Sequence, residues 1–149
     1  MISLKKKQSG FTIVELLIVI VVIGILALLV VNTFSGIQKK ARDSERQTDI
    51  NALHGQLEAY YAQNAKYPSL ANLQDGTWVS TNLKGLDPKA LIDPNQNQST
   101  GTIQGSNAAN QYGYVVTPAN CDNSTTDCTA YALTATLESG STFAKNSLN

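Results

Sequence analysis

Histidine and tryptophan each occur once in this chain of 149 residues, and cysteine only twice. One histidine and two cysteines cannot supply a usual four-ligand zinc site without carboxylates at convincing spacing, and no such spacing is present. Charge of one sign is not in excess, with 11 basic and 11 acidic residues. Without residues 1–10 the chain has 8 basic against 11 acidic residues, a net of −3, so no basic surface for nucleic acid is evident. Nucleophile elbow, phosphate loop and paired catalytic carboxylates are all missing, and the single His54 falls in the middle of a helical pattern. A solvated or hydrogen-bonded surface histidine is the reading for it, and the chain is not expected to be an enzyme. No proline precedes Pro68, and no charge lies between Glu15 and Lys39.

Those last two absences frame what is there. From Phe11 to Val31 run 21 residues that depart from apolar types only at Thr12, Glu15 and Gly24. A helix of that length is about 30 Å long, the thickness of a bilayer core. A cleaved secretory signal has a shorter apolar region and a small-x-small cleavage site, which the following "LVVNTFSG" does not offer. The segment therefore reads as a retained membrane helix. Basic residues flank it on both sides, Lys5, Lys6 and Lys7 before and Lys39, Lys40, Arg42 and Arg46 after, so charge alone does not orient it.

Beyond Val31 the pattern becomes amphipathic. Ile50, Leu53, Leu57, Tyr60, Tyr61 and Asn64 share one helical face. Lys39–Asp43, Arg42–Glu45 and Asp43–Arg46 are spaced to support the preceding turns. Gly24, Gly36 and Gly55 each weaken a helix by about 1 kcal/mol relative to alanine without ending it. The expectation is one helix from about Phe11 to Ala65, apolar all round in its first half and packed along one face in its second. Residues 66–149 carry short structured islands. Asp87 is spaced to cap a short helical turn with Pro88 at its first position. "QYGYVVT" (111–117) and "TAYALTATLE" (129–138) read as strands, the second with Tyr131, Leu133, Ala135 and Leu137 on one face. Residues 93–110, with almost no apolar content, read as a mobile surface loop. A Cys121–Cys128 bridge would close a ring worth about 2.5 kcal/mol in the chain-entropy model. Two buried thiols are the alternative, and the polar loop around them suits burial poorly. A bridge implies an oxidising compartment for the C-terminal part, hence a cytoplasmic N-terminus.

"KKKQSGFTIVELLIVIVVIGILALL" resembles the class III signal and N-terminal helix of type IV pilins and type II secretion pseudopilins. The basic leader, Gly10, Phe11, Glu15 and Gly24 fall where that family has them, and "QLEAYYAQNAKYP" (56–68) is similar to its helix end. Past Pro68 the likeness is limited to a "DP…YGY" order and a cysteine-closed loop near the C-terminus. The family often has a proline eight residues after its equivalent of Gly24; here Asn32 stands there. The resemblance implies an α+β pilin fold, a long N-terminal helix on a small antiparallel sheet. It divides the chain into a cleaved leader (1–10), a transmembrane and filament-core half-helix (11–35), an amphipathic half-helix (36–65) and a head with a β-hairpin and disulfide loop (66–149). It also implies a prepilin peptidase and N-methyltransferase that cuts between Gly10 and Phe11 and methylates Phe11. The precursor would sit in the inner membrane among lipid, meet an inner-membrane assembly platform, and join identical subunits in a helical filament.

In that frame Glu15 has a task. A carboxylate in a membrane helix is costly unless paired, and cleavage creates a positive amine at Phe11 one turn away. Glu15 of one subunit can pair with that amine in its neighbour and so set the stagger. The bland alternative is a glutamate that snorkels to the interface or is protonated. An extracellular type IV pilus is the first expectation and a periplasmic type II secretion pseudopilus the second; a surface protein that never polymerises is the third. Asp93, Asn95 and Asn97 give a D-x-N-x-N run toward calcium, but Gln98 and Gln104 replace the glycine and glutamate of an EF-hand loop, and a polar loop is the simpler reading. "NQS" at Asn97 and "NST" at Asn123 match glycan acceptor triplets, which are common by chance.

Overall fold

The computed structural model describes residues 10–96 and 102–149. Residues 1–9 and the segment 97–101, including Asn97, lie outside the described residues. The chain divides into two units, Met1–Gln38 and Lys39–Asn149. Helix α1 (Ile13–Asn64) contributes to both, and its hydrogen-bonding pattern is unbroken through Gly24, Asn32 and Gly36. Without proline in this stretch, no donor is lost from the helical ladder.

In the first unit the helix is apolar all round and uncovered. Its large apolar residues from Ile13 to Ile37 are between 45% (Val19) and 85% (Ile13) exposed. By length and composition α1 is able to cross a membrane.

In the second unit the amphipathic face finds its partner. Ile50, Leu53 and Leu57 are fully buried, in one cluster with Tyr112, Tyr114, Tyr131, Leu133 and Ala135. Tyr60 and Tyr61 pack at its margin, while Asn64 is exposed. The sheet has order β1-β2-β3, all antiparallel: β1 (Tyr112–Thr117), β2 (Ala130–Thr136) and β3 (Thr142–Asn146). Alternation in β2 buries Tyr131, Leu133 and Ala135, as period-2 geometry requires. Leu137 falls beyond the strand end and is half-buried. Opposite the core, a Cβ on Gly113 would strike Thr134 Oγ1 and come within 3.0 Å of the Asn107 backbone nitrogen, so glycine is required there.

Two short helices, α2 (Leu70–Gln74) and α3 (Gly76–Asn82), follow α1, and neither is evident from the pattern of residues 70–82. Ser69 and Asn72 cap α2 reciprocally, and Asp75 both ends α2 and caps α3. Leu73 and Val79 bury one side of each. The helical turn at Pro88–Leu91 forms as expected, with Asp87 Oδ1 accepting from the Lys89 N–H. Residues 102–110 depart from a mobile loop. Ile103 is fully buried, and Gln104 forms a parallel bridge to Gly113, donating to Tyr112 O and accepting from the Tyr114 N–H. A single isoleucine with a core site to fill tethers a segment whose mean composition is polar.

Candidate functional site

The chemistry-bearing end of α1 begins at Gly10, which is exposed with no atom within 4 Å of where a Cβ would stand. Phe11 follows at 76% exposure. Thr12 and Glu15 then cap the helix reciprocally. The Thr12 backbone N–H donates to Glu15 Oε2 at 3.0 Å and its hydroxyl to the same oxygen at 2.6 Å. The Glu15 N–H donates back to Thr12 Oγ1 at 3.2 Å. This is a capping box, and the carboxylate also faces the positive end of the helix dipole. Thr12 was the residue missed in the sequence; the T-x-x-E spacing ahead of an apolar run was the available signal. Both of these hydrogen bonds to the carboxylate fall on the same oxygen, Oε2.

A second set of polar residues fastens α1 within the Lys39–Asn149 unit. The Arg46 side chain is 1% exposed and forks onto Asp93, Nε to Oδ2 at 2.7 Å and Nη2 to Oδ1 at 2.9 Å. Its Nη1 reaches Asp43 at 2.8 Å and Glu138 at 3.6 Å. Arg42 pairs with Glu138 rather than with Glu45. The hydrogen bond to Asp93 raises the Arg46 pKa above its ordinary value, and the hydrogen bond from Arg42 holds the Glu138 carboxyl down at about 2. Asp93, read from the sequence toward calcium, thus has both oxygens engaged by Arg46, and its Oδ1 also accepts from the Asn95 N–H. Asn95 turns its amide to Asn110 and Glu138. Among the described residues no group of three His, Cys, Asp or Glu side chains is arranged to hold a metal ion.

His54 belongs to a third network. Its Nδ1 lies 2.7 Å from Tyr131 Oη, whose proton goes to Glu58 Oε1 at 2.8 Å, so His54 donates from Nδ1. Tyr67 Oη donates to the other Glu58 oxygen at 2.9 Å. Tyr61, Tyr67, Tyr114 and Tyr131 stack or meet edge-on with centroids 4.5–5.5 Å apart. Burial raises the pKa of Tyr112, Tyr114 and Tyr131, which keeps them as donors. A groove of about 510 Å³ beside β1, lined by Leu70, Val116 and Cys121 among others, holds no nucleophile and base in contact. Cys121 and Cys128 are joined in a disulfide, with Cα atoms 5.3 Å apart.

Residues 5–31 match the family described as the prokaryotic N-terminal methylation motif. The chain is 45% identical over 105 residues to type II secretion system core protein G of Aeromonas hydrophila, a match covering 67% of this chain and 65% of that one. It is 41% identical over 66 residues to core protein G of Dickeya chrysanthemi, covering 44% and 43%. To the type IV major pilin protein PilA of Myxococcus xanthus it is 33% identical over 66 residues, covering 44% of this chain and 30% of that one. The matched segments thus span less than two thirds of these relatives. No solved structure matches the chain. By this motif and these relatives the chain is similar to type IV pilins and type II secretion pseudopilins, and its long N-terminal helix and small antiparallel sheet agree with a pilin fold.

Proposed function

We propose that the chain is the subunit of a helical filament assembled from the inner membrane. The precursor is anchored by the first half of α1 with its N-terminus in the cytoplasm. A prepilin peptidase cuts after Gly10 and methylates the new amine of Phe11. The observation that carries this reading is the uncovered apolar helix from Ile13 to Ile37 led by a carboxylate. Such a surface is covered by lipid before assembly and by identical helices afterwards. Glu15 then performs two tasks. One oxygen caps its own helix through Thr12, and the other accepts from the Phe11 amine of a neighbouring subunit. In a water-poor core an unmatched charge is penalised, so the pairing selects the stagger at which each subunit enters.

A pseudopilus for protein export is supported by the 105-residue relation to core protein G, which extends beyond the 52 residues of α1. An extracellular pilus is the second reading. The relation to PilA and the exposed loop closed by Cys121 and Cys128 support it. Deleting the gene separates them: loss of exported enzymes from the medium marks the pseudopilus, loss of sheared surface fibres the pilus. For assembly itself, Glu15→Leu is expected to insert and be processed normally but to give no sheared filaments. Filaments at wild-type yield would end the pairing mechanism.

A further inference from the structure

The acceptor triplet at Asn123 lies in the loop between β1 and β2 that the disulfide closes. The structure turns its amide inward. Asn123 Nδ2 donates to the Tyr67 carbonyl at 2.7 Å, and Oδ1 accepts from the Cys128 N–H at 2.9 Å. Tyr67 and Cys128 also pair directly, with the Tyr67 N–H donating to Cys128 O at 2.8 Å. Lys66 extends its ammonium to Asn123 O at 3.3 Å and to Asp127 at 2.9 Å. The Asn123 amide thus ties the segment just after α1 to the loop through Nδ2 and ties the loop to itself through Oδ1, beside the Tyr67–Cys128 backbone bond and the Lys66 contacts.

The loop also keeps its own shape by hydrogen bonding. Asp122 Oδ1 accepts from the N–H groups of Ser124, Thr125 and Thr126 and from the Thr125 hydroxyl. The Asn123 N–H closes the turn on Thr126 O at 3.0 Å. Asn123 itself has φ 63°, a region that asparagine tolerates better than most residues.

We infer that Asn123 is the fastener of this loop rather than a glycan acceptor, and that it holds the loop on the Lys66–Tyr67 segment whether or not Cys121 and Cys128 are joined. Glycan transfer would form a bond from Nδ2 to the sugar C1, break the C1–oxygen bond to the diphosphate carrier and release a proton from Nδ2. In the docked loop one of the two Nδ2 protons is given to Tyr67 O and the residue is half-buried, so transfer at that nitrogen competes with docking. The disulfide and the amide are two independent locks on one surface feature, and the amide is the one that sets where the loop sits.

Hydrogen exchange of the full chain in detergent, read by mass spectrometry, tests this. Three samples decide it: the wild type oxidised, the wild type reduced by a phosphine, and oxidised Asn123→Asp, which keeps the acceptor but loses the Nδ2 donor. The phosphine gives two electrons to the disulfide and takes its oxide oxygen from water, whose two protons go to the sulfurs. Asn123→Gly, which accepts the positive φ, separates loss of the amide from backbone strain. Exchange at Tyr67, whose N–H spans to Cys128 O, is expected to rise by about 10-fold or more in both variants, at Cys128 only in Asn123→Gly, and at Tyr67 by less in the reduced wild type. Protection in β2 should stay unchanged, showing that the variants fold. Full protection in Asn123→Asp, or opening of the reduced wild type as far as the variant, overturns the inference.

Discussion

Single residues show two kinds of commitment. Gly10 has open space around it, so adding a side chain there disturbs nothing in the folded chain and acts only on the proposed cut. Gly10→Val is expected to accumulate the uncleaved form on a gel, with head stability unchanged; normal processing would refute the cut site. Arg46 is the opposite case, a charge buried against a buried carboxylate. Arg46→Ala leaves Asp93 buried without its partner and is expected to cost about 3–5 kcal/mol in denaturant unfolding. Arg46→Met with Asp93→Leu removes both charges and should cost clearly less. Glu15 was legible in the sequence because a lone charge in an apolar run is conspicuous. Asp93 was legible only as part of a D-x-N-x-N run in a polar stretch, read toward calcium or a plain loop, and not as an ion-pair partner. Its partner stands 47 positions away, and no local spacing links them.

At the scale of elements, α1 was readable nearly end to end, expected over Phe11–Ala65 and found over Ile13–Asn64. Both of its patterns, apolar all round and then one-faced, follow from local sequence. The buried face is the part that carries stability. Leu57→Ala, at a fully buried position, is expected to lower unfolding free energy by about 2–5 kcal/mol, measured by denaturant titration. Strands β1 and β2 were legible from alternation. Strand β3, with "TFAKN", exposes Thr142 and Ala144 and carries little apolar signal. It is held by its pairing with β2, Thr136 opposite Thr142 through Ala132 opposite Asn146, which is a tertiary fact. Helices α2 and α3 are too short to show a period and depend on caps, the Ser69–Asn72 box and Asp75.

Within the Lys39–Asn149 unit the ion network makes stability depend on pH with a definite sign. Glu138 has its pKa lowered from 4.5 to about 2 by the hydrogen bond from Arg42. Its contribution is complete above the unfolded value and is lost as pH falls from about 4.5 through about 2. Asp122, lowered from 3.8 to about 2 by the N–H groups of its turn, acts in the same direction. Asp49, raised by burial, opposes them, because its protonated form is favoured in the fold. The melting temperature of the full chain in detergent should therefore fall across that acidic window. Glu138→Gln should melt lower than the wild type at pH 7, with the gap closing toward pH 2; a constant gap would reject the assignment. The sequence by itself determined the membrane-length helix, the carboxylate at its start, the amphipathic face and two of three strands, because each is a periodicity or a break in one that neighbouring residues carry. Only the tertiary structure decided that Asp93 pairs with Arg46, that Ile103 enters the core and that Asn123 turns inward. In each of these, burial selects one polar or apolar partner from a distant part of the chain, and local pattern holds no record of that choice.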